Sequence, residues 1–139
     1  MTTIVDTGPL VAAAIEVGDV AHACREALRR ASRPFIVPAP VTSEVDHLFR
    51  RHRDAAHSFV ADIRAGRFLV ECLEPGDYDT VLGLMRRYAD LTPGIADLSL
   101  IVLAHRYGTR RIMTIDGRHF RAMTSLDGQP FTLIPADGN

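Results

Sequence analysis

An α/β domain, with a mostly parallel five-stranded sheet covered by helices on both faces, is the fold this sequence predicts. Three observations predict it. Short apolar runs rich in β-branched residues alternate with longer stretches of helical periodicity. Gly, Pro and acidic residues punctuate nearly every junction between them. At 139 residues the chain has the length of one domain, 1–139, with no linker, internal repeat or low-complexity run to divide it.

Taken in order, Thr3–Asp6 reads as a short buried strand and Thr7-Gly8-Pro9 as the turn that starts a helix. Pro9 suits a first helical turn because its missing N–H costs nothing there. The helix runs through Leu10, Val11 and Ile15 towards Val17, and Gly18-Asp19 breaks it. His22–Arg30 is a second helix with Cys24, Ala27 and Leu28 inward, and Phe35-Ile36-Val37, bracketed by prolines, is a second strand. Thr42–Arg51 is a third helix whose apolar stripe is Val41, Val45, Leu48 and Phe49. Asp54–Ala65 is a fourth, closed by Gly66, and leads into a third strand at Phe68-Leu69-Val70. Asp77–Tyr88 and Pro93–Tyr107 are the fifth and sixth helices, Thr92-Pro93 serving the latter as N-cap and first residue. Ile112–Ile115 and Phe131–Ile134 complete the strands. In parallel sheets of this kind, sites form beyond the carboxyl ends of the strands.

Composition narrows the function. The chain is 47% hydrophobic and 24% charged, an ordinary soluble balance, and no apolar run is long enough to span a bilayer. The N-terminus has no basic region followed by a long apolar one, so a cytoplasmic protein without membrane partners is expected. A net charge of −1 gives no global attraction for nucleic acid. All 16 basic residues are arginine, which excludes P-loop and Schiff-base chemistry, both of which need a lysine. Cys24 and Cys72 have neither CxxC spacing nor a disulfide framework and read as buried thiols. The six histidines contain no HExxH pattern, and His47, His52 and His57 recur every five residues, which scatters them around a helix. Zinc is not expected.

Four acids carry the chemistry. Asp6 closes Thr3-Ile4-Val5, Asp116 closes Ile112-Met113-Thr114-Ile115, Asp97 precedes the apolar run Leu98–Ala104, and Glu44 shares a helix face with Val41 and Leu48. Each has a plainer reading. Asp6 and Asp116 are good capping residues, and Glu44 suits a boundary from which it snorkels outward. The dipole at a helix N-terminus favours Asp97, although a helix starting at Pro93 leaves it beyond capping reach. Taken together, carboxylates at strand ends and buried helix faces are costly unless paired or bound to a cation. Oxygen ligands without Cys or His suit Mg²⁺ or Mn²⁺. Metal-assisted phosphodiester hydrolysis follows. Arg50-Arg51-His52-Arg53 reads as a solvated helix end, whereas Arg110, Arg111, Arg118 and Arg121 flank the Asp116 strand and are the better phosphate contacts.

Read together, these segments resemble the PIN-domain nucleases, and more narrowly the VapC-type toxins of bacterial toxin–antitoxin pairs. The matching pieces are Ile4-Val5-Asp6-Thr7-Gly8-Pro9-Leu10, Glu44, Ala96-Asp97-Leu98-Ser99-Leu100-Ile101 and Thr114-Ile115-Asp116-Gly117-Arg118-His119-Phe120. The resemblance covers nearly the whole chain. It implies a Rossmann-like, three-layer α/β/α sandwich that hydrolyses RNA with Mg²⁺ or Mn²⁺. Asp6, Glu44, Asp97 and Asp116 would be the acidic quartet, with Thr7 or Thr114 assisting through a hydroxyl. Ser99 stands where some relatives carry a further acid. A small VapB-like antitoxin is implied as partner, laying an apolar segment along Leu10-Val11-Ile15 and Val45-Leu48-Phe49, and a homodimer is expected. The alternatives are an aspartyl-phosphate module, which the missing lysine disfavours, and a catalytically silent module of the same fold that binds RNA or protein.

Overall fold

Alternation along the strands decides which side chains meet which helices. The computed structural model describes residues 1–138. Its five strands are β1 (Thr3–Val5), β2 (Phe35–Pro38), β3 (Phe68–Glu71), β4 (Arg111–Met113) and β5 (Thr132–Ile134). They form one sheet in the order β3-β2-β1-β4-β5, every pair parallel. Ile4 lies in register with Ile36 on one side and Ile112 on the other, and Ile112 with Leu133. That row points to one face, where it meets α5 (Asp77–Arg87), α6 (Ile95–Arg106) and α7 (Gly117–Ala122) through Val81, Leu84, Ile101 and Phe120. The adjacent row of Val5, Met113 and Ile134 points to the other face. There it is covered by α1 (Thr7–Ile15), α2 (Asp19–Arg30), α3 (Ala39–Leu48) and α4 (Arg53–Arg64), through Leu10, Leu28, Val45 and Phe59. This is the expected three-layer α/β/α sandwich, with a sheet that is wholly rather than mostly parallel.

Helix ends moved where local chemistry overrode periodicity. The third helix starts at Ala39 rather than Thr42, because Pro40 fits its first turn, and it stops at Leu48. Val17 lies beyond α1 and is 94% exposed. The sixth helix begins at Ile95, not Pro93. Thr92 sits in the left-handed region at φ 46°, and Gly94 takes the capping position. An N-cap residue is normally extended, so a left-handed Thr92 does not provide the cap that a helix starting at Pro93 needs. Two burial expectations also fail. Cys72, just past the edge strand β3, is exposed, and Leu48 is 44% exposed. On α3 the inward stripe is Val41, Val45 and Phe49, spaced by four, which leaves Leu48 on the flank.

The topology fixes the site. In a parallel sheet all carboxyl ends emerge on one edge. The β1–α1, β2–α3 and β4–α7 junctions therefore face the same side of the molecule.

Candidate active site

Asp6 is the first residue past β1 and caps α1: its Oδ1 accepts from the Thr7 N–H at 2.8 Å. Its Oδ2 accepts from the Thr114 hydroxyl, also at 2.8 Å. The residue is only 8% exposed. Burial is the main cause that pushes its pKa up, to about 6, with the charges of Asp97 and Glu44 adding to the rise. The two hydrogen bonds work against the rise without cancelling it.

Glu44 stands across from Asp6 on α3, and its Oε1 accepts from the Thr7 hydroxyl at 2.7 Å. Sequence reading placed Glu44 on the buried face with Val41 and Leu48. It is exposed, on the flank it shares with Leu48, and that flank is one wall of a cleft. The cleft, about 500 Å³, is lined by Asp6, Thr7, Ser43, Glu44, His47, Leu48 and Asp97. Asp97 comes from the first turn of α6, half-buried, and its Oδ2 accepts from the Gly94 N–H at 3.2 Å. It does cap its helix, contrary to expectation, because the helix starts two residues later than predicted. A carboxylate capping through one oxygen keeps lone pairs free for the cleft.

Asp116 does not line that cleft. It caps α7, its Oδ1 accepting from the His119 N–H at 3.4 Å. The His119 Nδ1 lies 3.1 Å from its Oδ2, near but outside hydrogen-bond alignment. Asp116 is nonetheless tied to the site through its backbone: its N–H donates to the Thr114 hydroxyl at 3.0 Å, the same hydroxyl that donates to Asp6. The structure thus brings Asp6, Glu44, Asp97 and Thr7 together, attaches Thr114 to Asp6, and leaves the Asp116 carboxylate turned towards its own helix. Ser99 is buried and donates to the Ala96 carbonyl at 2.6 Å, so it contributes nothing to the cleft.

Ser43 and His47 are cleft residues that sequence reading missed. Compared with one another, the histidines show no pattern. Compared with the acids, His47 lies one turn beyond Glu44, and that spacing was the available signal. The arginine expectation is corrected as well. Arg110 precedes β4 and Arg111 opens it, at the opposite strand end from the cleft, and Arg111 Nε donates to the Thr3 hydroxyl at 3.5 Å. Arg121 Nη1 donates to Asp137 at 2.8 Å. Only Arg118, exposed beside Asp116, keeps its expected freedom.

Among the described residues, no three His, Cys, Asp or Glu side chains stand close enough to form a closed metal shell. The donor set still suits a hard cation: carboxylate and hydroxyl oxygens surround a buried acid whose ionisation is disfavoured. Mg²⁺ in particular keeps several of its waters and needs few protein ligands.

Comparison with known proteins agrees with this geometry. The family model described as the PIN domain matches residues 3–125. Ribonuclease VapC26 of Mycobacterium tuberculosis (strain ATCC 25618 / H37Rv) is 31% identical over 135 residues, covering 95% of this chain and 99% of that protein. The crystal structure of M. tuberculosis VapC20, described as a Sarcin-Ricin loop cleaving toxin, superposes with a TM-score of 0.72 at 16% identity. It covers 83% of this chain and 90% of its own, and it speaks for the fold. With a family match over most of its length and a full-length relative, the chain belongs to the PIN-domain family, as a member of the VapC type.

Proposed function

We propose that this protein is a Mg²⁺- or Mn²⁺-dependent endoribonuclease, the toxin of a VapBC-type pair, with Asp6, Glu44, Asp97 and Asp116 as its acidic residues. One observation carries the reading. Asp6 is held almost buried between the Thr7 backbone N–H and the Thr114 hydroxyl, with Glu44 and Asp97 on the same cleft, so that its ionisation works against the fold. A cation in the cleft reverses that sign. Asp6 and Asp97 would be direct ligands, Asp116 would act through a water, and Glu44 would bind or orient the attacking water. When bound, the metal supplies a more acidic water and an offset for negative charge at the phosphorus and the leaving oxygen. Thr114 keeps Asp6 pointed into the cleft, and Thr7 keeps Glu44 facing it.

The partner reading finds support beside the cleft. A cavity of about 530 Å³ between α1, α2 and α4 has Leu10, Leu28, Phe49, Phe59 and Phe68 on its walls and Arg25, Arg29 and Arg67 on its rim. A small antitoxin could place an apolar segment there. Of the residues expected to form the groove, Leu10 and Phe49 line this cavity while being themselves largely buried, and Ile15 does not line it. Val11 and Val45 are buried in the core, and Leu48 lines the acidic cleft instead. A homodimer and a cytoplasmic location belong to the same proposal. No helix among the described residues is long and apolar enough to cross a membrane.

The test is cleavage of total RNA with mapping of new 5′ ends, run in chelator and then with Mg²⁺ or Mn²⁺ restored. Metal-dependent new ends that vanish in Asp97→Asn support the reading. Tight RNA binding with no new ends under any metal would favour the catalytically silent module.

A further inference from the structure

The cleft has an acidic floor, and the chain carries a net charge of −1, so neither can draw a phosphate backbone in. Beyond a bound divalent cation, attraction has to come from cations at the rim. One wall of the cleft is a single stripe of α3, in which Ser43 and Glu44 are followed one turn on by His47 and Leu48. The stripe does not stop at the cleft. Beyond the end of α3 the chain continues in tight turns, with Arg50 N–H bonded to the His47 carbonyl and His52 N–H to that of Phe49. Arg50, Arg51, His52 and Arg53 are all exposed there. Arg53 pairs with Asp46 at 3.2 Å, and Arg50 Nη1 donates to the His47 carbonyl at 3.0 Å. Arg51 makes no hydrogen bond or ion pair among the described residues and is free to meet an anion.

We propose that a single RNA strand leaves the acidic cleft along this face of α3, stacking a base on His47 and Leu48 and setting a phosphate on Arg51. This rests on the nuclease reading and adds the direction and the contacts of the substrate. An exposed Leu beside an imidazole at a cleft mouth offers a flat, partly apolar platform of the kind on which unpaired bases stack. Arg51 stands three residues beyond Leu48, the last residue of α3, where it borders Ala14 and Ile15 at the end of α1. A base stacked on the platform would thus lie between the reacting phosphate and the one held by Arg51. Charge supports this route over the α7 side: here Arg50 and Arg51 have no acidic partner among the described residues, whereas there Arg121 is engaged by Asp137 and Arg118 stands alone.

The experiment uses a fluorescein-labelled single-stranded RNA of mixed sequence with Arg51→Ala, His47→Ala and, as a control on the far face, Arg86→Ala on α5. Anisotropy is read in Ca²⁺ over a series of salt concentrations, and cut-site mapping in Mg²⁺ accompanies it. Arg51→Ala is expected to weaken binding about five- to tenfold at low salt and to reduce the salt slope by about 0.7, the loss of one phosphate contact. His47→Ala is expected to weaken binding about tenfold, with little change in salt slope, and to redistribute cut sites. Arg86→Ala should match the parent. If the parent binds or cuts RNA while both α3 variants keep its affinity, slope and cut sites, the path is wrong and the nuclease stands. If the parent neither binds nor cuts RNA, the nuclease reading falls and takes the path with it.

Discussion

Asp6→Asn should make the metal-free protein more stable, and only above a definite pH. The Asp6 carboxyl is pushed up to about 6, chiefly by burial. In the unfolded chain it titrates near 3.9. The folded state therefore holds this proton more tightly than the unfolded state. Its contribution is fully present below about pH 4 and is lost as the pH rises towards 6. At about 1.4 kcal/mol per pH unit, ionising Asp6 costs the fold roughly 3 kcal/mol at pH 8, an upper figure because water can relax into the cleft. Asparagine does not ionise and escapes this cost. It forfeits an acceptor for the Thr114 hydroxyl, a loss of about 1 kcal/mol that does not vary with pH. Thermal melts of parent and variant in chelator, at low ionic strength from pH 4 to 8, should diverge between pH 4 and 6. The variant should gain about 1–3 kcal/mol relative to its pH 4 offset, or roughly 3–10 °C for a domain of this size. Parallel curves across that range would refute the argument. So would a parent that gains stability relative to the variant as the pH rises.

Divalent metal should invert that result. Mn²⁺ is expected to raise the melting temperature of the parent more than that of Asp97→Asn or Asp6→Asn, because a ligand of the native state stabilises it more the more tightly it binds, as the logarithm of its affinity. Equal shifts in all three proteins would remove these residues from the ligand set. Gly8→Ala should destabilise by about 1–3 kcal/mol, measured by urea melts, because a Cβ at residue 8 would lie 2.5 Å from Ile115 Cγ1. Ile115→Ala should restore most of that loss, since Ile115 is already 47% exposed. Thr114→Val should cost about 2–4 kcal/mol at pH 8 and less at pH 4, because the lost bond favours the ionised form of Asp6. It also leaves the Asp116 N–H without its acceptor, and Thr114→Ser should recover both effects.

What the sequence made legible were features written locally. Asp6 and Asp116 could be found because each ends an apolar run, and a parallel sheet gathers such ends on one edge. The row of Ile4, Ile36, Ile112 and Leu133 follows from alternation within each run. Relations between elements were harder to read. Glu44 was singled out for sitting on a buried face, yet its exposed flank looks across to Asp6, because the inward stripe runs through Val45 and not Leu48. Asp97 was placed beyond capping reach because Pro93 looked like a helix start, and a left-handed Thr92 moved that start by two residues. The orientation of Asp116 was legible only as a capping reading, which is the one it adopts. It depends on whether its carboxylate turns to the cleft or to the His119 N–H, a choice between neighbours of comparable strength.

That choice bears on how the site would respond to a cation. Thr114 joins β4 to the Asp6 carboxylate and accepts from the Asp116 backbone, while Thr7 joins the start of α1 to Glu44 on α3. Two hydroxyls thus connect four elements around one buried acid. Without metal, this arrangement holds charge where the fold disfavours it. Charge neutralisation at Asp6 would relieve the repulsion from Glu44 and Asp97 and favour closer approach of α3 and α6, which already touch. To turn into the cleft, the Asp116 carboxylate would have to leave both the His119 N–H, at 3.4 Å the longest bond of the group, and the His119 Nδ1, 3.1 Å from its Oδ2. Asp116 would therefore be the last of the four acids to meet a cation in the cleft, through a water rather than directly.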